Sequence, residues 1–148
     1  MEKILVIIMG IQGSGKSTFF HQFLERDYVR VNLDTLKTRH QEKLLVEDCL
    51  NQGKCFAIDN TNPTKEDRQR YIVPAKSAGY KIIGYFMESK LKECIERNNL
   101  REGKEKVPTI AIAGTSNRLQ MPTYDEGFDE LYFVKNDGKQ MTILEWSE

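Results

Sequence analysis

The chain is 148 residues long, 39% apolar and 30% charged, the profile of one water-soluble domain over residues 1–148 that buries a core without disulfides or structural metal. Its 22 basic and 22 acidic side chains cancel, which argues against generic duplex binding by bulk positive charge, although residues 125–148 carry a net −5 and the remainder a net +5. No apolar run nears the roughly 20 residues that span a bilayer, and Cys49, Cys55 and Cys94, without C-x-x-C spacing and beside only His21 and His40, form neither a disulfide framework nor a zinc site, so a cytoplasmic protein with mostly buried thiols is expected.

Ile4 to Met9 is a continuous apolar run, as expected of a strand buried on both faces, and too short for a signal-peptide core. A glycine-rich loop follows, and a helix is predicted from near Gly15 to about Glu25. Tyr28 to Asn32 alternates with β-branched residues and reads as a second strand. Helix formers fill Leu36 to Gln52, with Gly53 as the stop signal. Cys55 to Ile58 is a third strand, ending in Asp59. Thr64 opens a helix that closes near Gly79, with Asp67 completing an imperfect capping box. Tyr80 to Met87 is a fourth strand, and Ser89 is expected to cap a helix reaching Asn99. A charged loop over Arg101 to Val107 precedes a helix opened by Pro108 and reaching Leu119. Leu131 to Val134 and Met141 to Leu144 are short strands joined by the turn Asn136-Asp137-Gly138.

Strands alternating with helices predict an α/β fold with a mainly parallel sheet of about five strands and helices on both faces. Ligands in such sheets bind at the carboxyl ends of the strands, where Gly10, Asn32, Asp34 and Asp59 fall. The first of these ends carries G-x-x-x-x-G-K-S in full, from Gly10 through Gly13, Ser14, Gly15 and Lys16 to Ser17, followed by Thr18. This is the P-loop pattern of the P-loop NTPase fold. Its glycines turn backbone N–H groups toward phosphate oxygens, the helix that follows adds its positive dipole end, Lys16 reaches the β- and γ-phosphates, and Ser17 ligates Mg²⁺. The N-K-x-D segment that reads guanine is absent, which favours ATP. Asp34 is placed either to cap the following helix or to act as a base on an acceptor hydroxyl. Asp59 is placed as a turn residue or as a second acidic group near Mg²⁺. Asn60, Thr61 and Asn62 lead into Pro63 as a recognition loop, and Arg97 and Arg101 are cations able to stabilise a transferring phosphoryl group. A hydroxyl-phosphorylating kinase, a small-molecule kinase on the same scaffold and a non-kinase ATP-binding regulatory module all remain open on the residues alone.

Five segments in order resemble the kinase domain of the polynucleotide 5′-hydroxyl kinases: I-M-G-I-Q-G-S-G-K-S-T-F at 8–19, Y-V-R-V-N-L-D-T-L at 28–36, A-I-D-N-T-N-P at 57–63, R-Q-R-Y at 68–71 with A-x-x-A-G at 75–79, and M-P-T-Y-D-E-G-F at 121–128. The resemblance implies ATP and Mg²⁺ as cofactors, with no covalent cofactor, and the 5′-hydroxyl end of DNA or RNA as acceptor. It implies that Asp34 is the general base and Arg101, with Arg97 as second candidate, the transition-state arginine, and that Asp59 and Thr61 lie beside the acceptor. Two positions depart from the family pattern: Leu33 stands where an arginine is usual, and Lys37 stands where some relatives use arginine to hold a substrate 3′-phosphate. The phosphatase motif D-x-D-G-T is absent from this sequence, so a separate phosphatase or ligase partner is expected.

Overall fold

The computed structural model describes residues 2–103 and 106–147. Lys104 and Glu105, in the predicted charged loop, lie outside the described residues. Six strands form one sheet in the order β2-β3-β1-β4-β5-β6. They are β1 (Ile4–Met9), β2 (Val29–Val31), β3 (Phe56–Asp59), β4 (Lys81–Met87), β5 (Glu130–Asn136) and β6 (Met141–Glu145). The first five run parallel, with Ile8 opposite Asp59 and Val31 opposite Ile58; β6 returns antiparallel to β5. The expected α/β sheet is therefore present, and each of its six strands overlaps a segment read as a strand from the sequence.

The sheet is central because β1 is apolar at every position and so must be covered on both faces. One face packs Leu5, Ile7 and Ile58 against Val46 and Cys49 of α3 (Arg39–Gln52) and Tyr71, Ile72 and Ala75 of α4 (Lys65–Ser77). The other packs Val6, Ile8 and Val134 against Phe19, Phe20 and Leu24. The latter belong to α1 (Lys16–Phe19) and to the π-helical turn over Phe20–Leu24 that continues it. Of the three free thiols Cys49 and Cys94 are buried and Cys55 is half-buried. Among the described residues no helix is long and apolar enough to cross a membrane.

Two sequence expectations change. The helix predicted over Leu36 to Gln52 is two helices. A single turn, α2 (Leu33–Leu36), is capped by Asn32, whose side chain accepts from Thr35 N. The chain then breaks at Lys37, whose φ of 77° lies in the left-handed region, and Thr38 caps α3 by accepting from Gln41 N. Ser89 does not cap α5 (Leu91–Asn99): its hydroxyl accepts from Ile11 N and donates to Met87 O, tying β4 to the glycine loop instead. Thr64 caps α4 as expected, accepting from Asp67 N. Pro108 opens α6 (Thr109–Arg118), and Asp137 Oδ1 closes the β5–β6 turn by accepting from Lys139 N and Gln140 N.

Candidate active site

The glycine loop is held in shape from several sides. Gly10 N donates to Thr61 O, and Asn62 Nδ2 donates to Ile8 O, so the turn after β3 is stitched to the turn after β1. Asn136 Nδ2 donates to Ser14 O from the end of β5, and Arg97 Nη1 donates to Gly13 O from α5. Gln12 Nε2 donates to Thr115 Oγ1 of α6. Gly13 has φ 82°, and a Cβ there would stand 2.3 Å from the carbonyl oxygen of Cys94, so the close approach of α5 requires glycine.

Lys16, Ser17, Asp34, Asp59, Asn60, Thr61 and Arg101 share one cavity of about 720 Å³. This brings the phosphate loop and the second and third strand ends together. Asp34 sits in the first turn of α2 and is exposed to the cavity; the cap of that helix is Asn32. Lys16 Nζ donates to Ile11 O, and burial lowers its pKa to about 8, with Arg101 pushing the same way and Asp59 and Asp34 opposing. A buried ammonium without its anion is disfavoured, so the loop is poised for an incoming negative charge.

Asp59 is 1% exposed. Its Oδ2 accepts from Ser17 Oγ and from Arg30 Nε, while Oδ1 has no hydrogen-bond partner. An orphaned buried carboxylate oxygen beside a serine hydroxyl suits a hard divalent cation that takes few protein ligands and the rest from phosphates and water. Ser17 and Asp59 therefore fit Mg²⁺.

The cavity also contains two cations that the sequence reading passed over, Arg30 and Arg39. Arg30 Nη2 donates to Ser17 Oγ at 2.8 Å while its guanidinium pairs with Asp59 and lies over the Phe20 ring. The signal was present: period two in V-R-V puts Val29 and Val31 on one face and Arg30 on the other. Lys37, expected on the acceptor side, does not line this cavity; it sits at the break between α2 and α3 with φ 77°. Arg97 and Asn62 do not line it either. Arg97 is spent on Gly13 O and lines a second cavity of about 300 Å³ with Arg101, Asn136 and Met141; Asn62 is 3% exposed and binds backbone carbonyls.

Two of the quoted sequence segments meet in a buried staple. Arg68 donates from Nη1 to both carboxylate oxygens of Glu126 at 3.0 Å, from Nε to Asn62 O, and from Nη2 to Pro63 O and Gln120 O. The D-N-T-N-P turn is thus clamped to the P-T-Y-D-E-G-F segment.

The chain is 35% identical over 129 residues to a bifunctional polynucleotide phosphatase/kinase of Schizosaccharomyces pombe, covering 84% of this chain and 31% of that protein. It is 32% identical over 140 residues to a putative bifunctional polynucleotide phosphatase/kinase of Acanthamoeba polyphaga mimivirus, covering 90% of this chain and 33% of that protein. The chain thus spans about a third of the length of these curated relatives. Among solved structures, Chaetomium thermophilum Kti12 in complex with ADP-AlF3 has a TM-score of 0.72 at 16% identity, covering 92% of this chain and 91% of the other. A gluconokinase from Sinorhizobium meliloti gives 0.62 at 15% identity, with 90% and 82% covered. No family model matches. The fold is that of the P-loop kinases, and over most of its own length the chain is homologous to polynucleotide phosphatase/kinases.

Proposed function

We propose that this homologue of the polynucleotide phosphatase/kinases is itself an ATP- and Mg²⁺-dependent kinase that transfers the γ-phosphate to the 5′-hydroxyl of a DNA or RNA end. The observation that carries the reading is the single cavity in which Lys16 and Ser17 of the phosphate loop lie with the exposed carboxylate of Asp34. The loop amides of Gly13, Ser14, Gly15, Lys16, Ser17 and Thr18 would bind the triphosphate, and the Lys16 ammonium would hold its β- and γ-oxygens. Mg²⁺, held by Ser17 and Asp59, would neutralise charge on those oxygens. Asp34 would accept or orient the proton of the acceptor hydroxyl, a contribution of roughly 10²- to 10⁴-fold for a positioned base. Arg101, which lines both cavities, would face the transferring phosphoryl group. A phosphatase or ligase acting on the same ends is the partner this reading implies.

The test is to incubate the protein with γ-labelled ATP, Mg²⁺ and a panel of 5′-hydroxyl oligonucleotides, nucleosides and sugars. Label at the 5′ end of oligonucleotides is the expected result. Label confined to sugars or nucleosides would make this a small-molecule kinase, the reading that Leu33 favours by removing a cation from the acceptor side. ATP turnover with no labelled acceptor would make it a regulatory ATPase.

A further inference from the structure

We infer that Arg30 is a built-in stand-in for the divalent cation: its guanidinium fills the position between Ser17 and Asp59, so that it excludes free metal and yields only to metal arriving with the triphosphate. The inference rests on the kinase reading above, in which Ser17 and Asp59 hold Mg²⁺. Arg30 takes from that pair what a metal would use. Its Nη2 donates to Ser17 Oγ at 2.8 Å, and its Nε donates to Asp59 Oδ2 at 2.8 Å. Ser17 Oγ in turn donates to the same Oδ2 at 3.4 Å. The strand places the side chain there. Arg30 stands opposite Ala57 in the β2–β3 ladder, and paired positions share a face of the sheet, so the small alanine leaves the guanidinium room to reach the end of β3.

This ion pair is built differently from the structural one. Arg68 donates to both carboxylate oxygens of Glu126, and those two side chains are 0% and 3% exposed. Arg30 engages only Oδ2 of Asp59 and leaves Oδ1 without a partner, and its own side chain is 26% exposed. One pair is closed; the other is half-satisfied and open to solvent. A half-satisfied buried carboxylate carries a cost that a better ligand set removes. Mg²⁺ usually takes only one or two carboxylates and completes its shell with substrate phosphates and water, so the triphosphate supplies what a bare ion lacks at this site. Arg30 also has a seat apart from the pair: its guanidinium carbon lies 5.7 Å from the centroid of the Phe20 ring, which is 3% exposed. While the pair holds, the guanidinium offsets the charge of Asp59, which would otherwise repel a metal-free phosphate chain.

The experiment titrates the nucleotide-free protein with Mn²⁺, read by electron paramagnetic resonance, and separately measures ATP affinity in EDTA by calorimetry. It uses the wild type, Arg30→Gln, Arg30→Lys and the double variant Arg30→Gln with Asp59→Asn, with thermal melting of each. Glutamine removes the charge, whereas lysine keeps it and loses the fork. Arg30→Gln should bind Mn²⁺ tighter than wild type by roughly 10- to 100-fold and metal-free ATP weaker by a similar factor, the range for contacts to a charged group. Arg30→Lys should fall between. Adding Asp59→Asn should remove the gained Mn²⁺ affinity, which locates the ion. An arginine that only supports the fold would not move the two affinities in opposite directions. If Arg30→Gln binds Mn²⁺ no tighter than wild type, or binds metal-free ATP as well as wild type does, the stand-in is wrong while the kinase reading stands. If the wild type binds ATP neither with Mg²⁺ nor without it, both fall together.

Discussion

At the scale of single residues, the proposed chemistry depends on how the cavity's charged groups are buried and paired. Lys16 has a pKa near 8 because burial disfavours its charge. Between about pH 8 and 10.5 the unfolded chain carries a proton here that the folded chain lacks, so the Lys16 contribution makes folding more favourable as pH rises through that window; below about 8 the full cost of the buried cation is present. A bound triphosphate reverses the preference. Nucleotide binding at pH 8.5 to 9 is therefore expected to take up protons, read by calorimetry in buffers of different ionisation enthalpy, and Lys16→Met should abolish the uptake. Proton release, or no exchange in the wild type, would contradict this. Arg30 bears on the metal: its guanidinium shares Ser17 and Asp59 with the ion that fits there. Arg30→Ala should lower the Mg²⁺ concentration needed for half-maximal activity; an unchanged or higher requirement would mean that Arg30 does not compete. The P-loop was legible in full because its pattern is contiguous. Arg39 was not, because its anchors, Glu42, Asn60 and Tyr71, come together only through α3, the β3 turn and α4.

At the scale of elements, most boundaries could be read and the misreadings share one cause. Thr64 announces α4 and Pro108 announces α6 because caps and fixed φ act locally. The break at Lys37 was passed over, because lysine is a good helix former, although Thr38 with Gln41 three residues on carries a capping-box signal for a new start. It arises from the third strand's turn, where Asn60 draws in Leu33 N and Asn32 caps a helix of a single turn. Ser89 misled in the same way: a serine before a helix reads as a cap, but its hydroxyl is taken by Ile11 N and Met87 O. The staple between α4 and the segment before β5 gives a stability prediction. Arg68→Ala would strand the nearly buried carboxylate of Glu126 and free three backbone carbonyls, at about 3–5 kcal/mol in urea unfolding. A loss below about 1 kcal/mol would show that the pair is dispensable. Thr64→Ala, which removes one cap, should cost only about 1 kcal/mol.

At the scale of the whole molecule, the proposed polynucleotide acceptor would have to be attracted locally, because the chain has no net charge. The net charge is zero, yet Lys16, Arg30, Arg39 and Arg101 converge on one cavity at the carboxyl edge of the sheet. That edge was legible from strand order alone, since parallel β1, β2 and β3 must all end on the same side. KM for an oligonucleotide should therefore rise with ionic strength while KM for a plain nucleoside stays nearly flat, and equal salt dependence would argue that the acceptor site does not see phosphates. The central claim is that phosphate grip and hydroxyl activation are separate duties of different residues lining this cavity. Its most direct test is the single-turnover rate of γ-phosphate transfer to a 5′-hydroxyl oligonucleotide by Asp34→Ala, measured beside the affinity of that variant for ATP. The account predicts ATP affinity within about twofold of wild type and transfer slower by roughly 10²- to 10⁴-fold. Transfer at the wild-type rate, or a loss of ATP binding in proportion to the loss of rate, would contradict it.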